Sequence, residues 1–376
     1  MRDLLVVGGG PAGLAVAAAG ARRGLDVLLV ERRGLPADKA CGEGLLPESV
    51  RALQELGALD HLDRARCAPF RSIRWVSEDG SAAEAALPAP GGLGVRRLAL
   101  SAALVARARE LGAEVRERTS LAGHRIEPGG AVGVLEGGEV VRARLLVAAD
   151  GLASPVRDRQ GLGRAARGRR RFGLRRHFAV APWSDAVEVH FSAGAEAYLT
   201  PVGPAEVGLA FLFEDGVAPD YPGLLERFPA LARRLAGAAS TSPPAGAGPL
   251  RRRATARTAD RLLLAGDAGG YVDAVTGEGL SLALSGAWML GEMLPEALAR
   301  GASREALRPW ERAVGSRYRR YALVTALVLA LARRPRLRRR ALAFLAARPE
   351  LFAGLVARAI GEGPPPQAAR AAAVRG

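Results

Sequence analysis

Three glycines near the start of the chain have the spacing of a phosphate-binding turn. Gly8, Gly10 and Gly13 form a G-x-G-x-x-G pattern directly after the apolar residues 4–7, and residues 14–23 are rich in alanine. In such a turn the first glycine bends the chain, the second lets the backbone approach a pyrophosphate, and the third lets a helix pack closely on a strand. The helix N-terminus then offers free N–H groups to the phosphates. The pattern therefore predicts a dinucleotide site here.

An acidic residue follows this turn at a useful distance. Residues 26–30 read as a second buried strand that ends at Glu31, about 20 residues beyond the glycines. A carboxylate at this place is positioned to accept ribose hydroxyls. NAD would use the same turn, but the position of the motif at the start of the chain, together with Glu31, favours FAD as a resident cofactor.

Two further carboxylates follow apolar runs that read as buried strands. Asp150 follows residues 145–149, and Asp267 follows residues 262–265. Burying a carboxylate without a partner costs free energy, so we expect each of these carboxylates to have a hydrogen-bond partner. A ribityl hydroxyl of FAD would suit Asp267. The glycine turn 277–279 precedes a predicted helix over residues 281–294, whose positive end would stabilise the N1/C2=O edge of reduced flavin.

Composition excludes several other classes of protein. The chain has 376 residues and a net charge of +16, but Lys39 is its only lysine, which indicates a coding bias toward arginine rather than a phosphate track. No nucleic-acid motif is present, so we expect no nucleic-acid partner. Two cysteines, Cys41 and Cys67, exclude a disulfide framework, and the four histidines are too scattered to predict a metal site.

The N-terminus lacks the pattern of a secretory signal. The longest strongly apolar run, residues 321–332, is shorter than the roughly 20 residues that a membrane-spanning helix needs. We therefore expect a cytoplasmic protein. The apolar run and the arginines of residues 333–340 leave two interpretations open, a helical subdomain with its arginines in water, or peripheral contact with the inner face of a membrane or with a lipid substrate.

Three motifs in order, GGGPAG at 8–13, DGLASPVR at 150–157 and GDAGGYVDAVTGEG at 266–279, resemble the flavoprotein class that includes p-hydroxybenzoate hydroxylase and geranylgeranyl reductase. The segments KACGEG at 39–44 and TGEG at 276–279 are similar to the geranylgeranyl reductase branch. The resemblance covers roughly residues 1–300. The paired tryptophans of flavin halogenases are missing, which disfavours halogenation.

The resemblance implies an α/β fold, α+β overall. A Rossmann-like FAD-binding domain would comprise residues 1–68, 98–158 and 255–297, with an inserted antiparallel β-sheet substrate domain at 69–97 and 159–254. A C-terminal helical region would occupy 298–362, and a disordered tail 363–376. Segments 71–76, 186–191 and 207–213 support the sheet independently, because they are β-rich and several alternate polar with apolar residues.

The resemblance also implies a set of site residues. Cys41, Glu43 and Tyr198 are the catalytic candidates; the alternatives are a packing residue for Cys41, a loop cap for Glu43 and strand packing for Tyr198. Lys39 could pair with a phosphate or with Asp38, or lie on the surface. The expected cofactor contacts are Gly8, Gly10, Pro11, Ala12, Gly13, Glu31, Arg32, Cys41, Gly42, Arg97, Leu121, Asp150, Asp267, Gly277, Gly279 and Leu280.

The expected activity is reduction of FAD by transiently bound NAD(P)H, followed by reduction of a double bond in a lipophilic isoprenoid, quinone or polyketide. The alternative within enzymes is a monooxygenase that hydroxylates an aromatic or polyketide compound in secondary metabolism. A third interpretation, from another class, is a flavoprotein electron carrier with a flavin edge open to a protein partner. The oligomeric state is not predicted.

Overall fold

A computed structural model describes residues 1–166, 168–217 and 220–361, so the expected tail at 363–376 lies outside the described residues. The α-helices are α1 (Pro11–Ala21), α2 (Pro47–Leu56), α3 (Arg97–Glu110), α4 (Pro155–Arg159), α5 (Tyr221–Glu226), α6 (Pro229–Arg234), α7 (Gly279–Ala299), α8 (Arg304–Ala332), α9 (Pro335–Ala346) and α10 (Pro349–Ile360). The first ten strands are β1 (Arg2–Val7), β2 (Val27–Val30), β3 (Gly44–Leu45), β4 (Ala68–Phe70), β5 (Ser72–Val76), β6 (Ala82–Ala86), β7 (Gly92–Gly94), β8 (Glu114–Arg116), β9 (Leu121–Glu127) and β10 (Gly130–Leu135). The others are β11 (Val140–Ala148), β12 (Gly163–Arg164), β13 (Arg171–Phe178), β14 (Ala186–Ser192), β15 (Ala195–Gly203), β16 (Glu206–Glu214), β17 (Ala245–Ala247), β18 (Arg253–Ala254), β19 (Thr258–Ala259) and β20 (Leu262–Leu264).

The first sheet is built on parallel strands and has the order β19-β20-β11-β1-β2-β8, with β10 paired to β11 and β9 paired to β10. The inner strands are apolar and buried, as expected of parallel strands covered on both faces. Val7 pairs in register with Val30 and with Ala148, and Ala148 pairs with Leu264. The carboxyl ends of four strands therefore lie side by side, and the predicted motifs follow directly from them.

The second sheet is mainly antiparallel, with the order β17-β13-β16-β15-β14-β5-β6. Residues alternate along the first part of β15, so that Ala197 and Leu199 pack against α5 and α6 while Tyr198 points to the opposite face. In register across that face lie Trp75, Val189, Tyr198, Ala210 and Arg175, one from each of five neighbouring strands. This row forms one wall of the cavity described below.

A small sheet of β3, β7 and β4 joins the two large ones. Its central strand passes so close to β15 that a Cβ atom on Gly94 would lie 1.6 Å from the carbonyl oxygen of Pro201. Only glycine permits this approach. The second sheet is thereby held near the loop that contains Cys41 and Glu43.

The C-terminal helices close the free side of the second sheet. Helix α8 packs along α7, and α9 and α10 pack on β6. Phe352, Val356 and Ile360 of α10 share an apolar cluster with Leu46 and Phe70. Among the described residues, no helix combines the length and apolar character needed to cross a membrane.

One arginine of the C-terminal cluster does not lie in water. Arg338 is completely buried, donates from Nε to Ser77 Oγ at 3.2 Å, and pairs with Glu78. Its guanidinium also lies over the ring of Phe191. The interpretation that placed the whole cluster in water is therefore wrong for Arg338, because this side chain links α9 to the second sheet.

The α/β class with a parallel sheet, an antiparallel sheet and C-terminal helices is confirmed. The predicted helix over residues 281–294 corresponds to α7, which is longer at both ends. The discontinuous domain boundaries stay predictions.

Candidate functional site

A cavity of ≈ 970 Å³ extends from the carboxyl ends of the parallel strands to the face of the second sheet that lies opposite α5 and α6. Every predicted site residue except Gly13 contributes to its wall. Those wall residues are Gly8, Gly10, Pro11, Ala12, Glu31, Arg32, Cys41, Gly42, Glu43, Arg97, Leu121, Asp150, Tyr198, Asp267, Gly277, Gly279 and Leu280.

The three glycines of the first turn have different neighbours. Gly8 has a φ of +108° and lies against Ala149, and a Cβ atom on Gly13 would lie 1.9 Å from the carbonyl oxygen of Gly8. These two glycines are required for packing. A Cβ atom on Gly10 would meet nothing within 4 Å, because Gly10 faces the cavity. The open side of Gly10 is the cradle that a pyrophosphate needs at the N-terminus of α1.

Glu31 is held at the end of β2 by backbone amides. Its Oε2 accepts from the amide of Gly9 at 2.6 Å, and its Oε1 accepts from the amide of Arg33 at 3.0 Å. Each carboxylate oxygen can accept more than one hydrogen bond. The Glu31 carboxylate therefore remains able to accept from ribose hydroxyls while its orientation is fixed.

Asp150 carries an unsatisfied oxygen in the cavity wall. Its Oδ2 accepts from the amide of Val156 at 3.2 Å, whereas its Oδ1 is buried with no hydrogen-bond partner in the part of the chain that the structure describes. Burial raises the pKa of this carboxyl group. Leaving such an oxygen unpaired costs about 1–3 kcal/mol. The open cradle at Gly10 and the unpaired Asp150 oxygen both fit a dinucleotide such as FAD.

Asp267 is less buried than its place after β20 predicts. Its side chain is 26% exposed, and it forms an ion pair with Lys39, whose Nζ lies 3.3 Å from Oδ2. The expectation of a buried carboxylate is therefore wrong, because the carboxylate lies at the edge of the cavity. Lys39 reaches this carboxylate rather than Asp38, which pairs with Arg175.

Glu43 has the contacts of a loop cap. Its Oε1 accepts from the amide of Arg97 at 2.6 Å at the start of α3, and its other oxygen pairs with Nε2 of the buried His177. The amide of Glu43 in turn donates to Sγ of Cys41 at 3.4 Å. Glu43 and Cys41 both line the cavity, and catalytic roles for them stay predictions.

Arg175 is a wall residue that the sequence did not reveal. It is 1% exposed, donates from Nη2 to Asp38 Oδ1 at 2.6 Å and lies 3.1 Å from His177 Nδ1 through Nη1. Alternation along β13 places positions 171, 175 and 177 on one face. That alternation was the available signal, but the sequence analysis did not use it at these positions.

The turn before α7 is fixed to two other elements. The hydroxyl of Tyr198 on β15 donates to the carbonyl of Val275. Asp273 accepts from Arg171 Nε at 2.8 Å, and its amide donates to the hydroxyl of Tyr321 on α8 at 3.0 Å. The second sheet and α8 therefore both hold the turn that the resemblance places against the flavin.

Glu278 is a second acid in this turn that the sequence analysis did not select. It is 4% exposed, and its Oε1 has no partner within the described ranges. Burial raises its pKa to about 7, although Arg320 and Thr276 act in the opposite direction. Near neutral pH a group with this pKa can hold or release a proton.

The far end of the cavity, here called the apolar half, is lined by aliphatic and aromatic side chains from both sides. Its members on the second sheet and on α8 and α10 include Ile73, Trp75, Val187, Val189, Val324, Leu327, Val328, Leu331, Phe352, Leu355 and Val356. The other end, here called the cofactor half, contains the glycine turn, Glu31, Asp150 and Asp267. The cavity therefore joins a polar dinucleotide cleft to an apolar chamber.

The model of a family described as FAD binding domain matches residues 1–204. A digeranylgeranylglycerophospholipid reductase of Methanoculleus marisnigri is 30% identical over 332 residues, which are 82% of this chain and 80% of that protein. A menaquinone reductase of Mycobacterium tuberculosis is 29% identical over 349 residues, 85% of this chain and 81% of its own. Among solved structures, a triple mutant of a flavin-dependent brominase aligns with a TM-score of 0.83 at 16% identity, covering 99% of this chain and 98% of that one. The structural likeness shows the fold alone.

Proposed function

The chain belongs to the FAD-binding domain family, and on that premise we propose that this FAD-dependent oxidoreductase uses NAD(P)H to reduce a carbon–carbon double bond in a lipophilic isoprenoid, quinone or polyketide. The relatives named digeranylgeranylglycerophospholipid reductase and menaquinone reductase support this substrate class. When bound, FAD would supply the hydride-transfer chemistry.

The observation that carries the proposal is the continuity of the cavity. The apolar half opens directly from the turn before α7, with Tyr198 and Val275 at the junction. Burying apolar substrate surface there is favourable by about 25 cal/mol per Å². A long hydrocarbon chain could therefore place one double bond at the junction while the rest of the chain lies against Trp75, Val189 and Phe352.

The chain's own residues would divide the work. The N-terminus of α1 would bind phosphates at Gly10, Glu31 would accept from ribose hydroxyls, and Asp150 would pair its free oxygen with a polar group of the cofactor. The N-terminus of α7 would face the pyrimidine edge of the flavin. The apolar half would exclude water from the reacting double bond.

The test uses the holoenzyme, reduced by NADPH or NADH without oxygen and mixed with menaquinone dispersed in detergent. We expect the flavin to return to its oxidised spectrum, and mass spectrometry after air oxidation of any quinol to find a quinone that still carries two added hydrogens. Val189→Trp, which fills the apolar half, should abolish that product. Val140→Trp, at an exposed position of β11, is the matched control.

A second experiment separates reduction from hydroxylation. Reduced enzyme is mixed rapidly with oxygen, with and without candidate aromatic substrates, and the flavin spectrum is followed. We expect slow reoxidation without a transient species. A transient species before the oxidised spectrum, followed by a product with one added oxygen, would overturn the reductase proposal in favour of the monooxygenase.

A further inference from the structure

The C-terminal helices expose an unusual share of large apolar side chains. Six of the nine exposed large hydrophobic residues within the described ranges lie on these helices, and we call these six the apolar rim: Leu323, Leu327, Leu337, Phe344, Leu351 and Leu355. Within α8 and within α10 the members are four positions apart, and on α9 they are seven apart. Such spacings place each pair on one face of its helix.

Two members of the rim belong to both the surface and the cavity. Leu327 of α8 is 62% exposed and Leu355 of α10 is 47% exposed, and both contribute to the cavity wall. The apolar half therefore reaches the surface between α8 and α10, and its opening is bordered by apolar side chains. A water-soluble substrate gains nothing from such a border, whereas a hydrocarbon chain does.

The surroundings of the rim are strongly basic. Residues 333–361 contain eight arginines and a single acidic residue, Glu350. Arg338 is buried and two other arginines pair with acids outside this segment, but Arg334, Arg336 and Arg340 are exposed on α9 or at its N-cap. Apolar residues beside exposed basic residues are the combination that binds the interface of an anionic membrane.

We propose that the apolar rim docks on the surface of a membrane that contains anionic lipids, so that a lipophilic substrate passes from the bilayer into the cavity between α8 and α10. The identity of this substrate rests on the proposed function. Leu327 and Leu355 would lie at the depth of the lipid chains, and the arginines would pair with headgroup phosphates. The substrate would then move from lipid to protein without crossing water.

A second copy of the chain is the less favourable occupant. In a symmetric dimer the same patch meets itself, so the arginine-rich segment of one copy would face that of the other. Juxtaposed like charges oppose association. An anionic bilayer instead offers the opposite charge.

Vesicle co-sedimentation of the holoenzyme tests the docking. We expect binding to vesicles of phosphatidylcholine with about 30% phosphatidylglycerol, and much weaker binding to pure phosphatidylcholine, because each arginine near an anionic surface contributes roughly fivefold. Leu323→Ser/Phe344→Ser/Leu351→Ser should reduce binding to both by at least about tenfold. These three residues do not line the cavity, and Leu98→Ser/Val140→Ser is the matched control at exposed apolar positions elsewhere.

The charge contribution has its own pair of variants. Arg336→Gln/Arg340→Gln should lower binding to anionic vesicles by roughly 25-fold, while Arg164→Gln/Arg253→Gln, at exposed positions of β12 and β18, should not. Equal losses in the two pairs would overturn the proposal, as would wild-type protein that stays in the supernatant. A concentration-dependent dimer that the rim variants abolish, without vesicle binding, would assign the rim to a second copy. Vesicle binding that occurs only after removal of residues 363–376 would mean that this segment, rather than a membrane, is the occupant of the apolar rim.

A reaction measured in two dispersions separates this inference from the proposed function. We expect the triple rim variant to retain the wild-type rate on menaquinone in detergent and to lose at least about tenfold on menaquinone in anionic vesicles. Wild-type protein that acts in detergent but does not bind vesicles would refute the docking alone. Protein that binds vesicles but reduces no double bond would refute the proposed function alone.

Discussion

The two halves of the cavity are built in different ways. The cofactor half is made largely of backbone, because Gly8, Gly10 and Gly13 follow β1 within a few residues, and Asp150 closely follows β11. The apolar half is made of side chains from β5, β14, β15, α8 and α10, which are far apart along the chain. Its boundaries depend on how those elements pack.

The difference shows where each kind of recognition resides. Phosphates and ribose hydroxyls would be bound by backbone amides and by carboxylates at the ends of buried strands, so we expect the cofactor half to tolerate little change. A hydrocarbon chain is recognised by shape and apolar area, which many combinations of side chains can supply. Substrate choice is therefore expected to vary through the apolar half while FAD binding is preserved.

The largest expected effect breaks the cofactor half without unfolding the protein. Gly10→Val should reduce FAD affinity by at least about 100-fold, or ~3 kcal/mol, because its side chain would enter the cradle, where a Cβ atom meets no protein atom within 4 Å. Equilibrium dialysis and thermal unfolding of the apoprotein would measure this. Gly13→Val, by contrast, should destabilise the fold itself, since its side chain collides with the Gly8 carbonyl. Retained FAD binding in Gly10→Val would contradict the cradle.

The next effect concerns Glu278, between the two halves. Because its folded-state pKa is raised from the ordinary 4.5 to about 7, the folded protein binds this proton more tightly than the unfolded chain does. The resulting stabilisation is present below about pH 4.5 and is lost as the pH rises through 7. Between pH 5 and pH 8 the free energy of unfolding of the wild type should fall by about 2–3 kcal/mol relative to Glu278→Gln.

Urea unfolding at several pH values, with FAD in excess, would measure this difference. Glu296→Gln, at an exposed position of the same helix, is the control and should follow the wild-type pH dependence. Parallel curves for wild type and Glu278→Gln would show that the carboxyl group titrates normally.

A smaller effect on FAD affinity is expected from Asp267, at the edge of the cofactor half. Asp267→Ala should weaken FAD binding by about 1.5–3 kcal/mol, the value for lost hydrogen bonds to a charged group. Because Asp267 also pairs with Lys39, Lys39→Gln is measured beside it in the same fluorescence titration. An equal loss in both variants would show that the ion pair, rather than a hydroxyl of FAD, accounts for the effect.

The smallest effect tests the junction of the two halves. Tyr198→Phe removes the hydrogen bond to Val275 and should cost about 1 kcal/mol of stability, with a severalfold loss of FAD affinity as the turn loosens. Tyr221→Phe is a matched control, since Tyr221 donates to Leu209 at 3.0 Å on the other face of the sheet. It should lose similar stability and no affinity. A fall in turnover above about 100-fold with normal FAD binding would instead support Tyr198 as a proton donor.

The sequence could predict that the motifs of the cofactor half meet, because each motif there is local, whereas their contacts with FAD stay predictions. Glu31 and Asp150 stand at strand ends, and the register of parallel strands alone brings such ends together. The fold class was implied by the family resemblance, and the β-rich, partly alternating segments of the second sheet supported it independently. The position of a carboxylate after a buried strand does not determine how exposed its side chain is. Asp267 was therefore expected to be more buried than it is.

The rest depended on contacts between distant segments. Arg175 and Asp38 are 137 positions apart, and Arg338 and Glu78 are 260 apart, so nothing local distinguishes these buried arginines from solvated ones. The apolar half likewise exists only after α8 and α10 pack beside the second sheet. The catalytic candidates Cys41, Glu43 and Tyr198 stay predictions, although all three line the same cavity.

Helix α8 has a consequence for attempts to redesign this protein. Tyr321 holds the turn before α7, and Leu327, six residues further along the same rigid helix, borders the opening of the cavity about 9 Å away. Any change that tilts α8 to admit a wider molecule would also displace the turn that the flavin needs. Helix α10 borders the same opening through Leu355 without holding that turn. Libraries aimed at new substrates should therefore vary α10 and leave α8 unchanged.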